Sequence, residues 1–293
     1  METSIFLGWW PSLYNKRSGT MYVINRLDFN IVYACNIKCK GCISLSDFPR
    51  IGVEHFANLV TQIDYWHDYI TPKVLTLFGG EPLLHPKLHS LIPIIKSYWP
   101  NTIIRLITNG YLLKKHNPKI WFNYKPFEIQ VSIHRKDHEK ILEQEIKKIL
   151  KIEKGWKTKR IKHSMGHRDV IFYKNGFQIW KSKFKDFITP YKINNGKLKP
   201  FTSNPVKAHS ICGAPNTPVL YRGKLYKCPP IANILDITDK GVYNYEPIED
   251  EKGLKEFVEN IGRPASICSM CPENRSHSFD HFNKENVYVK NIN

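Results

Sequence analysis

The sequence predicts an α/β fold built around a parallel sheet. Short apolar runs alternate with stretches whose apolar residues recur at helical spacing. Strands separated by helices pair in parallel through right-handed crossovers. The first four apolar runs each end in a cluster of Cys, Gly, Asn, Ser or His. Ligands gather at the carboxyl ends of strands in such sheets, so these clusters fall where a site would form. A length of 293 residues with a hydrophobic fraction of 42% suffices for one large packed domain and a small second one.

Residues 1–25 read as an aromatic, irregular N-terminal extension, with Met21 as an alternative start. The core follows over residues 26–205. Its first strand, residues 27–34, runs into Cys35-Asn36-Ile37-Lys38-Cys39-Lys40-Gly41-Cys42. Residues 53–69 read as a helix through Phe56, Leu59, Val60, Ile63 and Trp66, stopped by Thr71-Pro72. A strand over 74–78 ends in Gly79-Gly80-Glu81-Pro82. A helix over 86–99 carries Leu88, Leu91, Ile92 and Ile95 on one face. The strand at 102–107 ends in Thr108-Asn109-Gly110, and the strand at 127–133 carries Ser132 and ends at His134. A long helix covers 137–152. Strands at 169–173 and 177–180 supply the fifth and sixth units, and Asn195-Gly196 marks a turn.

The Cx3Cx2C loop carries the strongest chemical signal. A 4Fe–4S cluster takes four thiolates, so three close cysteines leave one iron open to a small molecule. A zinc site completed by a distant residue, or three unconnected buried thiols, are the other readings of the spacing. Gly79 and Gly80 allow close backbone approach to a ligand, and Glu81 can accept from an ammonium group. Asn109 sits in a turn that favours Asn for its backbone alone.

The remaining cysteines fall in a small second domain at residues 206–285. Cys212 and Cys228 flank a hairpin turning at Arg222-Gly223-Lys224, and Cys268-Ser269-Met270-Cys271 is a Cx2C turn. Two pairs make a closed all-thiolate site, which suits either a cluster or a structural zinc. His209, His277 and His281 lie nearby and read as surface residues. Residues 286–293 read as a tail frayed or draped on the surface.

The three motifs, in this order and at these intervals, resemble those of the radical S-adenosylmethionine (radical SAM) enzymes: Cx3Cx2C after the first strand, GGEP after the second and TNG after the third. The resemblance implies a partial (β/α)6 TIM-like barrel. It implies that Cys35, Cys39 and Cys42 hold a 4Fe–4S cluster whose open iron is chelated by S-adenosylmethionine. An electron then breaks the S–C5′ bond, and the 5′-deoxyadenosyl radical abstracts a substrate hydrogen. Gly79, Gly80 and Glu81 take the methionyl amino group by this resemblance, with Asn109 as a further cofactor contact. By position, Ser132 serves as a ribose contact. His134 is a candidate proton acceptor, with a surface histidine as its plain alternative. Gly223-Lys224-Leu225-Tyr226-Lys227-Cys228 resembles the Gly-x4-Cys piece of the family's SPASM or shorter twitch extensions. That implies a twitch domain in which Cys212, Cys228, Cys268 and Cys271 bind an auxiliary 4Fe–4S cluster, with zinc as the alternative.

A formal net charge of +18 raises a nucleic-acid reading, and Lys151 to His163 is the densest basic stretch. Lys supplies most of that charge, whereas Arg is the residue that grips phosphate in two-pronged fashion. Nucleic acid is therefore not favoured over a small-molecule substrate. There is no apolar run near the about 20 residues a membrane span needs, and the cysteine usage suits a reducing compartment, so the expected location is cytoplasmic. The expected function is oxidation or rearrangement of a small polar substrate, such as a sugar, cyclitol or nucleotide, supplied with electrons by a flavodoxin- or ferredoxin-type donor. The alternatives are modification of a peptide or nucleic acid, and a non-enzymatic zinc-binding interaction protein.

Overall fold

The structure, a computed structural model, describes residues 20–159, 167–183, 186–195, 197–239, 241–280 and 286–289. Most of the expected N-terminal extension lies outside these residues, as do residues 160–163 of the basic stretch and His281.

The chain opens with β1 (Tyr22–Val32) and a loop containing the short β2 (Ile37–Cys39). Then come α1 (Phe56–Trp66), β3 (Ile70–Gly79), α2 (Leu88–Tyr98), β4 (Ile103–Thr108) and α3 (Lys119–Phe122). They are followed by β5 (Phe127–Ile133), α4 (Glu139–Ile152), β6 (Lys157–Lys159), β7 (His167–Lys174) and β8 (Phe177–Lys183). The C-terminal part begins with β9 (Asp186–Ile188), β10 (Lys192–Asn194), β11 (Lys197–Lys199) and α5 (Pro205–Ser210). It continues through β12 (Val219–Tyr221), β13 (Lys224–Tyr226), α6 (Pro229–Ile234), α7 (Leu254–Glu259), β14 (Ser278–Asp280) and β15 (Val287–Val289).

Nine strands form one sheet in the order β13-β12-β1-β3-β4-β5-β8-β7-β6. The run from β12 to β8 is parallel, and the outer strands β13, β7 and β6 are antiparallel additions. The result is an α/β fold with a large, mostly parallel sheet, consistent with a partial TIM-like barrel. Apolar side chains on one face, among them Leu27, Phe29 and Ile31 of β1 and Ile129 of β5, pack against Leu59 and Ile63 of α1, Leu91 of α2 and Ile146 of α4. Each such side chain, fully buried, stabilises the fold by about 1.5–3 kcal/mol.

Four sequence expectations change. The strands expected as a fifth and a sixth β/α unit are one hairpin, because β7 and β8 pair antiparallel. Asn175 and Gly176 between them have φ of 42° and 78°, the left-handed pair a two-residue hairpin turn requires. The sixth parallel strand is instead β12, from the segment expected to form the small second domain, and it pairs with β1. Pro72 does not stop a helix. It lies within β3 opposite Ile24, before the ladder to β4 begins at Val74. Residues 287–289 of the tail do not fray: β15 pairs with β2, setting Val287 opposite Cys39.

Trp156, the aromatic within the basic stretch, is half-buried and packs against Phe122 and Phe177 with ring centroids 6.0 and 5.9 Å away. Its ring serves the core rather than a nucleobase stack.

Behind the sheet, Trp121 Nε1 donates to His89 Nδ1 at 3.2 Å. That leaves His89 Nε2 to donate to His116 Nδ1 at 3.1 Å, and His116 Nε2 to donate to the Leu83 carbonyl at 3.0 Å. The string works only with both rings neutral, and burial lowers the pKa of each below the usual 6.5. The unfolded chain therefore binds more protons below that value, and the string's contribution is lost as pH falls. The stability difference between wild type and a His89→Gln/His116→Gln variant should be constant above about pH 7. It should shrink below about pH 6.5, by up to about 1.4 kcal/mol per pH unit for each group. Urea denaturation from about pH 7.5 to 5.5 measures it, and a difference that never changes would refute the neutral string.

Candidate active site

The thiol loop leaves β1 and is shaped by backbone contacts with two distant segments. Gly80 N donates to Val32 O at 2.8 Å, and Glu81 N to Ala34 O at 2.9 Å. On the other side, Lys40 N donates to Asn286 O at 2.9 Å, continuing the β2–β15 ladder. The turn closes through Cys42 N to Cys39 O at 3.2 Å. Cys35 and Cys39 are buried, and Cys42 is half-buried.

The glycines of the GGEP segment are required by the protein's own backbone. A Cβ on Gly80 would lie 2.0 Å from Ala34 O, and one on Gly79 would lie 2.2 Å from Val32 O. Gly79 also has φ +132°. The thiol-loop backbone itself thus approaches these glycines closely.

Glu81 is buried, and its carboxylate is held internally. Leu83 N donates to Oε1 at 3.0 Å, Thr108 Oγ1 donates to Oε1 at 2.7 Å, and Asn109 N donates to Oε2 at 2.8 Å. Burial pushes Glu81 up to about 7 against the lowering effect of these three bonds. Asn109 in turn reaches the thiol loop: its Nδ2 donates to Asn36 Oδ1 at 2.7 Å and lies 3.7 Å from Cys35 Sγ. The ends of β3 and β4 are thereby locked to each other and to the first cysteine. Asn36 Nδ2 is buried with no hydrogen-bond partner among the described residues.

Burial raises the pKa of all three thiols, and at Cys39 the charges of Cys42, Cys35 and Asp47 add to it. Asp47 accepts from Tyr191 at 2.7 Å and from Gly41 N at 3.4 Å, bracing the loop between Cys39 and Cys42. Ser132 is buried near the end of β5, in register with Ser182 of β8. His134 follows β5 half-buried, its ring centroid 5.7 Å from that of Phe187.

Sequence reading missed the polar hub beneath the loop. Arg50 Nη1 donates to Ser44 O at 3.0 Å and to Asn233 Oδ1. Its Nη2 donates to Tyr221 OH and Asp236 Oδ2, each at 2.9 Å. Asn233 Nδ2 donates to Ile43 O at 3.2 Å and to Pro229 O at 2.8 Å, and its Oδ1 accepts from Asn30 at 3.0 Å. Nothing in the local sequence marks Arg50 or Asn233, because their partners lie some 170–200 residues apart.

The second cysteine set shares one neighbourhood. Cys271 is raised well above the usual thiol range by burial and then by the charges of Cys228, Cys212 and Cys268. Cys228 is pushed up to about 12 by burial, with Cys212 and Cys268 adding to it. Among the described residues, no three His, Cys, Asp or Glu side chains form a group that could hold a single metal ion as they stand. His209 Nε2 is buried without a partner among the described residues, and His277 packs on Phe201 at 4.9 Å.

A Gly80→Ala substitution tests how tightly the GGEP segment and the thiol loop are joined. It should cost about 3 kcal/mol, the upper range for overpacking. A Gly52→Ala control, at φ +88° with nothing within 4 Å, should cost only the about 1–2 kcal/mol of a left-handed backbone. Chemical denaturation of both decides it, and equal costs would refute the tight junction.

Comparison with known proteins agrees with this geometry. Residues 29–169 match the Radical SAM superfamily. GTP 3′,8-cyclase of Campylobacter curvus is 27% identical over 101 residues, 33% of this chain and 31% of that protein. The enzyme of the same name from Sulfurimonas denitrificans is 30% identical over 101 residues, again 33% and 31% of the two chains. The chain thus spans about a third of the length of these curated relatives. The crystal structure of BtrN in complex with AdoMet and 2-DOIA is 14% identical and superposes with a TM-score of 0.50, covering 88% of this chain and 99% of that one. That likeness concerns the fold. The Cx3Cx2C, GGEP and TNG segments all lie within residues 29–169, the stretch that matches the Radical SAM superfamily.

Proposed function

We propose that this protein is an oxidising or rearranging radical SAM enzyme that acts on a small polar molecule. The observation that carries the reading is the junction at the carboxyl ends of β1, β3 and β4. There three thiols, two of them buried, the Gly79-Gly80-Glu81 backbone and the Asn109 amide are fixed to one another. The donor set fits an iron–sulfur cluster: three thiols lie on one loop, and beside them the buried Asn36 Nδ2, free to hydrogen-bond to a cluster sulfur, has no partner among the described residues. When bound there, the cluster and S-adenosylmethionine supply one-electron cleavage and hydrogen abstraction from substrate. Cys35, Cys39 and Cys42 would hold the cluster. Asn109 orients Cys35, and Glu81 fixes the turn that presents Gly79 and Gly80. Ser132, near the end of the neighbouring strand, would meet a ribose hydroxyl, and His134 just beyond it would accept a proton.

Cys212, Cys228, Cys268 and Cys271 would hold a second metal centre as a twitch-like extension. An auxiliary 4Fe–4S cluster there gives an oxidation its electron acceptor, whereas zinc would leave only redox-neutral chemistry. An external donor of flavodoxin or ferredoxin type completes the reading.

Iron and acid-labile sulfide in anaerobically reconstituted protein test it, beside a Cys35/Cys39/Cys42→Ala variant. The expected result is about eight irons per chain falling to about four, with release of 5′-deoxyadenosine lost in the variant. Absence of iron from wild type would sink the proposal. About four irons falling to none, with zinc retained, would remove the oxidative branch.

A further inference from the structure

The inner face of the sheet carries a row of polar side chains that the chemistry above does not use. Lys181 of β8 reaches Glu139 of α4, so odd positions of β8 point to the helices and even positions point away. By the same alternation, β1 turns Asp28 and Asn30 inward, β4 turns Arg105 and Ile107, and β5 turns Glu128, Gln130 and Ser132. Register places Asp28, Thr76, Arg105, Glu128 and Gln178 side by side across five strands. This row lies four residues below Asn109 on β4, about 13 Å beneath the thiol loop.

Three observations mark the row as a recognition surface. Thr76 is fully buried, and its Oγ1 has no hydrogen-bond partner among the described residues. Arg105 donates from Nε to Glu128 Oε2 at 2.7 Å and stacks on Trp180 at 5.4 Å, but neither terminal nitrogen has a partner among the described residues. One row above, Phe78 and Ile107 are only half-buried although they sit on central strands whose other face is covered by helices. Their remaining exposure is therefore on the inner face, one row above Thr76.

The charges on this surface cancel. Arg26 holds Asp28 through two bonds of 2.8 and 3.1 Å, and Arg105 holds Glu128. A polyphosphate would find few clustered donors here and would meet two carboxylates. Donors and acceptors instead alternate from strand to strand at about 4.8 Å spacing: hydroxyl, guanidinium, carboxylate, amide. A ring bearing several hydroxyls offers donors and acceptors at every edge and matches that alternation. Resting on the proposed function for the location of the substrate, we infer that Thr76, Arg105 and Glu128 recognise a neutral polyhydroxylated ring and select against a nucleoside triphosphate.

Saturation-transfer NMR on the full chain tests this, with myo-inositol, methyl glucoside, GTP and tripolyphosphate as probes. The variant is Thr76→Val, which removes an unpartnered hydroxyl and should leave the melting temperature unchanged or higher. The expected result is binding of at least one neutral probe, weakened at least tenfold by Thr76→Val, together with weak or absent tripolyphosphate binding. Arg105→Gln serves as a second variant with the same expected loss. Failure of both neutral probes to bind, binding unaffected by either variant, or GTP binding that Thr76→Val abolishes would each overturn the inference. The readout needs no cluster and no cleavage of S-adenosylmethionine. Protein that binds a polyol yet releases no deoxyadenosine would therefore refute the proposed function and leave this inference standing. The opposite result would refute the inference alone.

Discussion

The shape of the thiol loop depends on one buried guanidinium. Removing an arginine from water costs several kcal/mol unless its donors find partners. Arg50 meets that condition with acceptors from three places: Ser44 in its own loop, Tyr221 on β12, and Asn233 and Asp236 in and just after α6. Tyr33 covers it, with the guanidinium 5.6 Å from the ring centroid. None of these segments can shift without stranding a buried charge. Because Asn233 also holds Ile43 O, the two carbonyls that follow Cys42 are both positioned by this cluster. The C-terminal part of the chain is therefore built into the thiol loop. The same coupling appears in the sheet, where β12 flanks β1 on the side opposite β3.

A second constraint is steric. The backbone of the GGEP segment and that of the thiol loop approach so closely that neither Gly79 nor Gly80 has room for a side chain. Glu81 then has both oxygens engaged by the chain around it, including the Asn109 amide. A buried carboxylate in such a place is costly alone, and its three hydrogen bonds are what make it tolerable. Its structural work is to transmit the position of β4 to the end of β3. The methionyl amino group expected at this segment would therefore meet a surface whose shape is already set.

Much of this was legible in the sequence, for physical reasons that differ by element. Helices α1, α2 and α4 were visible because one apolar face recurs over three or more turns, and β5 was read to the residue. The positions of the cysteines and of the GGEP and TNG segments were visible because each closes a strand. The β7–β8 hairpin was misread although its signal was present. Asn175-Gly176 is a strong short-range hairpin turn, and two apolar runs flanking it should outweigh an expected count of β/α units. Two further features had no local signal. The β12–β1 pairing joins residues nearly two hundred positions apart, and β15 is three residues long. Sequence shows that backbone must approach the two glycines closely, and the fold adds that the thiol-loop backbone is one such neighbour.

The alternation within the parallel strands says more about function than their number does. Strands of a filled parallel barrel are buried on both faces and read as continuous apolar runs. Here β5 buries Phe127, Ile129 and Val131 toward the helices but turns Glu128, Gln130 and Ser132 inward, and β1 does the same with Asp28 and Asn30. This polarity is expensive. A buried hydroxyl or amide left without a partner costs about 1–3 kcal/mol, and both Thr76 Oγ1 and Asn30 Oδ1 are in that state among the described residues. Apolar residues of similar volume at those positions would make a more stable sheet. Their absence is a departure from what folding alone would select, and such departures concentrate where a protein meets its ligand. The inner face thus keeps hydrogen-bonding positions that, among the described residues, the chain itself does not fill.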